Sequence, residues 1–523
     1  MTNTPKWQRP SLAYPKVPVF ELLRETARRL PQKPAVIDPF GKRTLTYADL
    51  DRESNLLAGV FADWGVNRGD RISFFLTNGW EYIVGFYGAL KAGAVVSPIN
   101  PTYRDRKVQH QIADSESRVL FVQNKLLPQL SGILPGLPAV EKVLLTRGET
   151  KENGKFFSLP ALLEKRSPGT SFPVIDPGTD LAALPYSSGT AGRSKGVMIT
   201  HFNLVANILQ SMSAVEARAE DVFLSFLPFN HIYGLTYYLG GAVYLGATQI
   251  TMARFEAEEC LRLIEKHRVS VLLAVPPALL ALLNLPHGAN YDTSSLRMIW
   301  VGAAPLPPPI AWGIRQKFGV PVARHYGLSE ASPTTHANPS ARIKDGSVGI
   351  AVSDLEDRIM DWEKGIKEMP AGEPGELAVR GPNVFQGYWK HPEDTKLALR
   401  DGWLYTGDIA WRDAEGYVYI LDRKKEMIRR GEYHFAPAEL EGILMEHPAV
   451  RDCAVVGIPD PGFGERPKAF VVLHPGIVVE PGELMEFVAE RVPEYKQIRE
   501  LALIPEIPKN FSGKILRRVL KIG

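Results

Sequence analysis

The chain has 523 residues, of which 45% are hydrophobic and 23% charged, a composition that predicts a water-soluble protein of two or three folded units. Its net charge of +3 argues against a dedicated nucleic-acid binder, which would carry concentrated basic patches. Two widely separated cysteines, and an N-terminus without the apolar core of a signal peptide, predict a cytoplasmic protein with no nucleic-acid partner and no transmembrane segment.

Predicted helices and strands alternate through the first 345 residues. Helical spacing is found in "LTYADLDRESNLLAGVFADWG" (45–65) and "WEYIVGFYGALKAG" (80–93). Short apolar runs predict strands at 71–76, 94–99, 119–122, 143–146, 223–229, 248–252, 269–275 and 297–303. This alternation is typical of βαβ units, so we expect an α/β fold of largely parallel sheets with helices on both faces.

The pattern changes after about residue 345. Glycine-punctuated segments at 375–381, 402–408 and 416–426 predict antiparallel strands in a small barrel-like part. From about residue 424, strands at 453–459 and 468–473 and helices at 437–447 and 482–492 predict a small α+β unit. We therefore expect an N-terminal domain at 1–421, a hinge at 422–425 and a mobile C-terminal domain at 426–523.

The stretch "YSSGTAGRSKGVMITH" (186–201) combines clustered hydroxyls and glycines with a lysine, as an anion-binding loop would. It nearly fits the Walker pattern from Gly189. However, Ser194 replaces the second glycine of that pattern, and Gly196 replaces the hydroxyl residue that binds magnesium. A different phosphate-binding architecture is therefore needed.

This loop resembles the phosphate loop of the adenylate-forming (ANL) superfamily, which includes acyl-CoA synthetases, 4-coumarate–CoA ligases and luciferases. Further motifs of that superfamily follow in the same order: "PFNHIYGL" (228–235), "GAAPL" (302–306), "YGLSE" (326–330), "YTGD" (405–408), "DRKKEMI" (422–428) and "SGKILRR" (512–518). Any one of them alone would be weak, whereas together they span nearly the whole chain.

The resemblance implies a site for ATP and Mg²⁺. Loop residues would hold the β- and γ-phosphates, an aromatic ring would face adenine, and small residues would let the backbone approach the nucleotide. In that order these are Ser187, Ser188, Gly189, Thr190 and Lys195; Tyr326 with Gly327; and Gly302, Ala303 and Ala304. Ser329 would donate to the α-phosphate, Glu330 would bind Mg²⁺, and Asp408, with Arg423 nearby, would accept from the ribose hydroxyls.

The resemblance also implies residues for catalysis. Lys514 would be the catalytic lysine, bridging the acid carboxylate and the α-phosphate as negative charge shifts. His231 would position the acid, and Tyr233 and Gly302 would line its pocket. Lys425 would be the pivot of a domain rotation that withdraws Lys514 and presents the Gly431 loop to CoA.

The implied activity is that of an AMP-forming acyl-CoA synthetase. It would activate a carboxylic acid as its acyl-adenylate and then transfer the acyl group to CoA. We expect a medium- or long-chain fatty acid, with an aryl acid such as a hydroxycinnamate as the near alternative. Transfer to a carrier-protein thiol, a catalytically idle binding homologue and, more remotely, a light-emitting oxidase stay open.

Two stretches depart from the superfamily pattern. In the phosphate loop, Ala191 replaces a hydroxyl residue and Ser194 replaces a proline, which should loosen the loop and raise the KM for ATP. In "RRGEYHFAP", Glu432 stands where the resemblance places a glycine that lines the pantetheine tunnel. Glu432 could narrow that tunnel, unless a shift by one residue lets Gly431 serve instead.

Overall fold

The apolar runs of the first 350 residues form two mainly parallel sheets with helices between the strands. The computed structural model describes residues 8–147, 154–164, 172–187, 194–286, 290–510 and 513–522. Strands such as Val271–Ala274 and Met298–Val301 are buried at every position, as expected of parallel strands covered on both faces.

Most strands of the first sheet follow the phosphate loop in the chain. In the described part of the chain its spatial order is Ile350–Ala351, Thr334–Ala337, Val322–Gly327, Met298–Val301, Val271–Ala274, Val222–Ser225, Thr248–Thr251, Pro34–Asp38 and Arg43–Thr46. The strands from Val322–Gly327 to Pro34–Asp38 are parallel, and antiparallel strands close both edges.

The second sheet carries the beginning and end of the phosphate loop. Its described strands run in the order Gly387–Tyr388, Lys195–Thr200, Leu181–Ala183, Val95–Pro98, Arg71–Phe75, Val119–Val122, Lys142–Leu145 and Phe156–Ser158, with Tyr186–Ser187 beside Lys195–Thr200. Its central strands are parallel, whereas Lys195–Thr200 runs antiparallel to Leu181–Ala183.

Helices cover these sheets. The longer ones are Val19–Arg29, Tyr47–Asp63, Trp80–Lys91, Asp105–Asp114, His201–Ala214, Ala257–His267, Pro276–Leu283 and Pro308–Phe318. Shorter turns are Leu127–Leu130, Leu159–Glu164 and Pro392–Ala398. No helix among the described residues is long and apolar enough to cross a membrane.

Two capping boxes fix where helices begin. Thr46 accepts a hydrogen bond from the backbone of Asp49, whose carboxylate accepts one from Thr46, so the helix begins at Tyr47 and the preceding residues form a strand. Thr200 and Asn203 form the same arrangement at the start of helix His201–Ala214. This cap ends the strand that leaves the phosphate loop.

The segment after "PFNH" has a backbone that periodicity does not predict. Helical residues Ile232–Gly234 lead into a π-helical stretch, Leu235–Ala242, which returns to α-helix at Val243–Leu245. Every residue of Leu235–Ala242 is buried. Wide helical turns of this kind are frequent at functional sites.

The later part of the chain forms two further sheets. Strands Glu356–Met360, Gly375–Arg380, Leu399–Arg400, Trp403–Arg412 and Val418–Arg423 pair antiparallel. Strands Ile428–Arg430, Tyr433–Phe435, Val450–Asp460, Gly464–Leu473 and Glu500–Leu503 form the last sheet, with helices Pro437–Leu444, Pro481–Ala489 and Arg517–Ile522. The backbone passes from one sheet to the other between Arg423 and Ile428.

Candidate active site

A buried carboxylate joins the first sheet to the antiparallel sheet. Asp408, only 3% exposed, accepts a hydrogen bond at Oδ2 from the hydroxyl of Tyr326, which lies near the end of strand Val322–Gly327. Its Oδ1 pairs with Nε of Arg423 at 2.6 Å, because Asp408 and Arg423 are cross-strand partners. Both oxygens of this carboxylate are therefore engaged.

The electrostatics of this cluster keep its charges in place. Burial, and next the neighbouring Asp408, raise the pKa of Tyr326, so its phenol stays protonated. Asp408 raises the pKa of Arg423 against the opposing effect of burial. The cluster is thus a fixed set of one cation, one hydroxyl and one carboxylate acceptor.

A second group of polar side chains surrounds Glu330. This residue lies in the short helical turn Ser329–Ala331, and its Oε1 accepts a 2.8 Å hydrogen bond from the hydroxyl of Tyr388. Nζ of Lys195 is 5.3 Å from the centre of the Tyr388 ring and pairs with Asp394 at 2.6 Å. The lysine of the phosphate loop and the predicted magnesium ligand therefore share one neighbour.

The ends of the phosphate loop are held together by strand pairing. Ser187 lies opposite Lys195 in an antiparallel pair, and Tyr186 lies opposite Gly196. Ser188, Gly189, Thr190 and Ala191 lie outside the described residues. The loop between the paired strands thus begins and ends at one place, near Glu330.

Lys514 lies on a loop of the C-terminal part that packs against helix Pro276–Leu283. Its backbone exchanges hydrogen bonds with Asn510, at 2.9 Å to the side chain and 3.0 Å to the backbone. Beside it, a Cβ on Gly513 would lie 2.7 Å from Pro277, so this loop packs directly on helix Pro276–Leu283.

The charge of Lys514 is coupled to that site. Burial, followed by the cation of Arg423, lowers the pKa of Lys514 to about 8, while Asp408 acts in the opposite direction. The charges of Arg423 and Asp408 therefore both influence the protonation of Lys514.

The predicted acid-pocket residues meet beside the first sheet. Gly302, Ala303 and Ala304 follow strand Met298–Val301, and Ala303 has a φ of 70°. A Cβ on Gly302 would lie 2.2 Å from Nε2 of His325 and 3.5 Å from the ring of Tyr233. Gly302 is therefore required for the close approach of these rings.

His231 begins the helical segment that carries Tyr233. Its Nδ1 accepts a 3.3 Å hydrogen bond from the backbone N–H of Tyr233. Burial lowers the pKa of His231 to about 4, so its imidazole is neutral at pH 7. A neutral imidazole is better suited to position a carboxylic acid than to form an ion pair with it.

Two predicted residues lie on the C-terminal side. Lys425 is 3.5 Å from the carboxylate of Glu426, and its cation helps to lower the pKa of Lys514. Gly431 and Glu432 form the turn between strands Ile428–Arg430 and Tyr433–Phe435, with Gly431 at a φ of 59° and Glu432 exposed. The Gly431 N–H donates to Phe463 at 2.8 Å.

Three residues that contact the predicted site residues were not predicted from the sequence. Tyr388 and Asp394 contact Glu330 and Lys195, but they belong to a polar segment without any recognised motif. His325 directly precedes the "YGLSE" motif, and its place next to that motif was the signal that could have identified it.

Comparison with known families decides what this site belongs to. Residues 23–389 match the model of the family described as AMP-binding enzyme, and residues 439–514 match that of the AMP-binding enzyme C-terminal domain. The chain belongs to the AMP-binding enzyme family. These two matched regions lie on either side of residues 423–428, where the backbone passes from the antiparallel sheet to the last sheet.

Individual relatives of this AMP-binding enzyme cover almost the whole chain. It is 35% identical to the long-chain-fatty-acid–CoA ligase of Bacillus subtilis (strain 168), over 97% of this chain and 95% of the relative. It is 37% identical to 4-coumarate–CoA ligase-like 9 of Oryza sativa subsp. japonica, over 98% and 94%. The structure of ATP-bound MatB from Rhodopseudomonas palustris superposes with a TM-score of 0.89 at 29% identity, covering 97% and 99%.

These findings confirm the recognition, the fold class and the enzyme class predicted from the sequence motifs. The chain is an acyl-CoA synthetase of the adenylate-forming superfamily, with a large and a smaller α/β part. Enzymes of this class form an acyl-adenylate from ATP and a carboxylic acid and then make the CoA thioester. The class of acid is a separate question.

Proposed function

We propose that this enzyme activates a carboxylic acid with MgATP through Lys514 and then transfers the acyl group to CoA in the cytoplasm. The observation that supports the proposal is that the partly buried Lys514 stands beside Gly513, which packs on Pro277, and that the charges of Arg423 and Asp408 influence its pKa. We expect a lysine in this loop to approach both the nucleotide and the acid.

The proposed ATP-binding site consists of the two groups of residues around Asp408 and around Glu330. Asp408 offers acceptor oxygens to the ribose hydroxyls, and the ring of Tyr326 offers a face to adenine. Ser187, Ser188, Gly189, Thr190 and Lys195 are proposed to surround the leaving pyrophosphate, and Ser329 to donate to the α-phosphate. Lys195 exchanges Asp394 for phosphate oxygens when ATP binds, since a phosphate carries the greater charge.

Glu330 fits a magnesium ion that arrives with ATP. No group of three or more His, Cys, Asp or Glu side chains within the described ranges is arranged to hold a metal by itself. A single carboxylate suits Mg²⁺, which prefers one or two carboxylates together with phosphate oxygens and water. Glu330, oriented by the hydroxyl of Tyr388, would hold the ion, which would supply positive charge to neutralise the phosphates.

Lys514 supplies the charge that adenylation requires. The attacking carboxylate and the α-phosphate are both anionic, so a cation between them lowers repulsion and stabilises the transition state. His231 is proposed to position the acid from the opposite side as a neutral imidazole. Covalent enzyme chemistry is unnecessary because the phosphoanhydride itself activates the carboxylate.

The thioester step requires Lys514 to leave. We propose that residues 422–425 act as the hinge, with Lys425 as its pivot, and that rotation carries the Gly431 turn to the site. In support, the backbone passes between sheets directly after Arg423, and the loop of Lys514 packs on Pro277 in the present arrangement. One rotation of the C-terminal part, residues 426–523, thus withdraws Lys514 from the site and brings the Gly431 turn to it.

The acid class rests on the relatives. Similarity to a long-chain-fatty-acid–CoA ligase supports a medium- or long-chain fatty acid. Similarity of the same strength to 4-coumarate–CoA ligase-like 9 supports an aryl acid as the second candidate. Apolar pockets discriminate by only about 1–3 kcal/mol per methylene, so several acids are expected to react.

The test incubates the enzyme with MgATP and a panel of fatty and aryl acids, with and without CoA, and follows AMP, acyl-adenylate and acyl-CoA by mass spectrometry. Acyl-CoA is expected. Adenylate that accumulates without acyl-CoA would favour a carrier-protein thiol as acceptor, and absence of AMP with every acid would favour an idle homologue.

A pair of lysine variants tests the role of Lys514. We expect Lys514→Ala to slow adenylate formation at least about 10²–10³-fold, as removal of a transition-state donor does. Lys509→Ala is the matched control, because Lys509 lies on the same segment but pairs with Asp452 at 2.6 Å. Equal rates in the two variants would overturn the assignment of Lys514.

A further inference from the structure

A buried histidine lies beside the predicted acid pocket. His325 directly precedes Tyr326, and successive side chains of a strand point to opposite faces, so His325 lies on the face away from Asp408. There it contacts Gly302, and its ring centre is 4.7 Å from that of Tyr233. His325 is only 7% exposed.

One ring nitrogen of His325 is held by a chain of hydroxyls. Ser211 donates to Thr334 Oγ1 at 3.0 Å, Thr334 Oγ1 lies 3.0 Å from the Tyr237 hydroxyl, and that hydroxyl lies 3.1 Å from His325 Nδ1. We assign the hydroxyl protons so that each donates in this direction, which makes Tyr237 the donor to Nδ1. Burial lowers the pKa of His325 to about 3, so the ring is neutral, and this assignment places its single proton at Nε2.

The other nitrogen has no partner of its own. No residue in the described ranges hydrogen-bonds His325 Nε2. Two buried polar atoms on adjoining rings also lack partners there: the hydroxyl of Tyr233, and Nε1 of Trp300, whose ring stacks on His325 at 6.1 Å. Buried donors without partners are costly, and such atoms call for an explanation such as a ligand.

We propose that His325 is a specificity-determining residue, and that its Nε2–H donates to a neutral oxygen on an aromatic acid. The inference rests on the proposed function, since it concerns the acid that Lys514 helps to activate. The rings of Tyr233, Tyr237 and Trp300 around His325 suit a flat aromatic group. A plain alkyl chain would leave the N–H unpaired, so this feature favours the aryl candidate over a saturated fatty acid.

The experiment compares acids that differ by one oxygen. Rates of AMP release are measured with 4-hydroxycinnamate and cinnamate, with 4-hydroxybenzoate and benzoate, and with hexadecanoate. The wild-type enzyme is expected to favour the oxygenated member of at least one pair by about tenfold or more in kcat/KM. His325→Phe keeps an aromatic ring without a donor, so its preference is expected to fall to near one while the deoxy acid still reacts.

Controls separate specificity from folding and from catalysis. Tyr47→Phe removes a different buried hydroxyl, which donates to Ala247, and should leave the preference unchanged. Binding of the same acid pairs to the wild-type enzyme, measured by calorimetry with α,β-methylene ATP present, gives the preference without turnover or substitution.

Equal use or equal binding of the paired acids by the wild-type enzyme would overturn the inference and leave the proposed function intact. Faster reaction of hexadecanoate than of every aryl acid would do the same, as would an unchanged preference in His325→Phe. If no acid released AMP, the proposed function would fail, and the binding preference would still decide the role of His325.

Discussion

At the scale of single residues, we expect the protonation of Lys514 to determine the pH range of adenylation. Burial lowers its pKa to about 8, so a rise in pH through that value removes the charge that is proposed to stabilise the transition state. We expect kcat/KM for adenylate formation to fall above about pH 8. In Lys514→Arg this basic limb should move to higher pH, because a guanidinium stays protonated. The same limb in both proteins would contradict the assignment.

The carboxylate of Asp408 should matter more to ATP binding than the hydroxyl that contacts it. Asp408→Asn removes a charged acceptor and the ion pair with Arg423, and we expect the KM for ATP to rise about 10–100-fold. Tyr326→Phe keeps the ring that is proposed to face adenine and should raise the KM for ATP about tenfold or less. Initial rates at varied ATP, with acid saturating, distinguish the two, and the reverse order would count against this division of roles.

Which residues of the site could be predicted depended on whether they stood in a motif. Asp408, Glu330 and Lys514 stand in short motifs with fixed spacing, so a resemblance identified them. Tyr388 and Asp394 reach Glu330 and Lys195 only because strand Gly387–Tyr388 pairs with strand Lys195–Thr200. Pairing between strands so distant in sequence leaves no local pattern.

At the scale of elements, the small C-terminal sheet depends on one arginine. Arg517 contacts both oxygens of Glu441, at 2.7 and 2.9 Å, and lies 3.5 Å from Asp422. Burial raises the pKa of Glu441 and of Asp422, and Arg517 opposes that rise. The arginine thus favours the charged forms of two carboxylates that lie between helix Pro437–Leu444, helix Arg517–Ile522 and the end of strand Val418–Arg423.

Arg517→Met should therefore destabilise the C-terminal part by about 3–5 kcal/mol, the usual cost of leaving buried charges unpaired. Without the arginine, the folded-state pKa of each carboxylate lies above its unfolded value, so stability is lost as pH rises. We expect a larger loss at pH 8 than at pH 5 in thermal unfolding. The double variant Arg517→Met, Glu441→Gln should recover part of it; no recovery would mean that Arg517 acts through packing alone.

The elements themselves were largely predictable, with one exception. Continuous apolar runs become buried parallel strands, and Thr-x-x-Asp or Thr-x-x-Asn becomes a capped helix, because each pattern has one favourable arrangement. The π-helical stretch Leu235–Ala242 was not predictable, because all of its residues are buried and its sequence therefore shows no alternation of polar and apolar faces.

At the scale of the whole molecule, we expect substitution of Glu432 to change the rate of the thioester step and not the rate of adenylate formation. Its side chain is exposed on the turn beside Gly431, the part proposed to meet CoA after rotation. We expect Glu432→Gly to accelerate consumption of preformed acyl-adenylate by CoA, measured in a single turnover, and to leave adenylate formation unchanged.

Glu432→Gln separates the two reasons for this effect. Acceleration in the glutamine variant would indicate repulsion between the carboxylate and CoA, whereas acceleration in the glycine variant alone would indicate a narrow tunnel. Unchanged thioester rates in both variants would place Glu432 outside the path of CoA.

The ion pair between Arg423 and Asp408 has a consequence for the order of events. Arg423 is the last residue of the strand from which the backbone passes to the C-terminal sheet, and it forms an ion pair with Oδ1 of Asp408. We expect a ribose hydroxyl that donates to this oxygen to weaken the ion pair. If residues 422–425 act as the proposed hinge, we expect the hinge to be more flexible in the enzyme that holds ATP than in the enzyme without it.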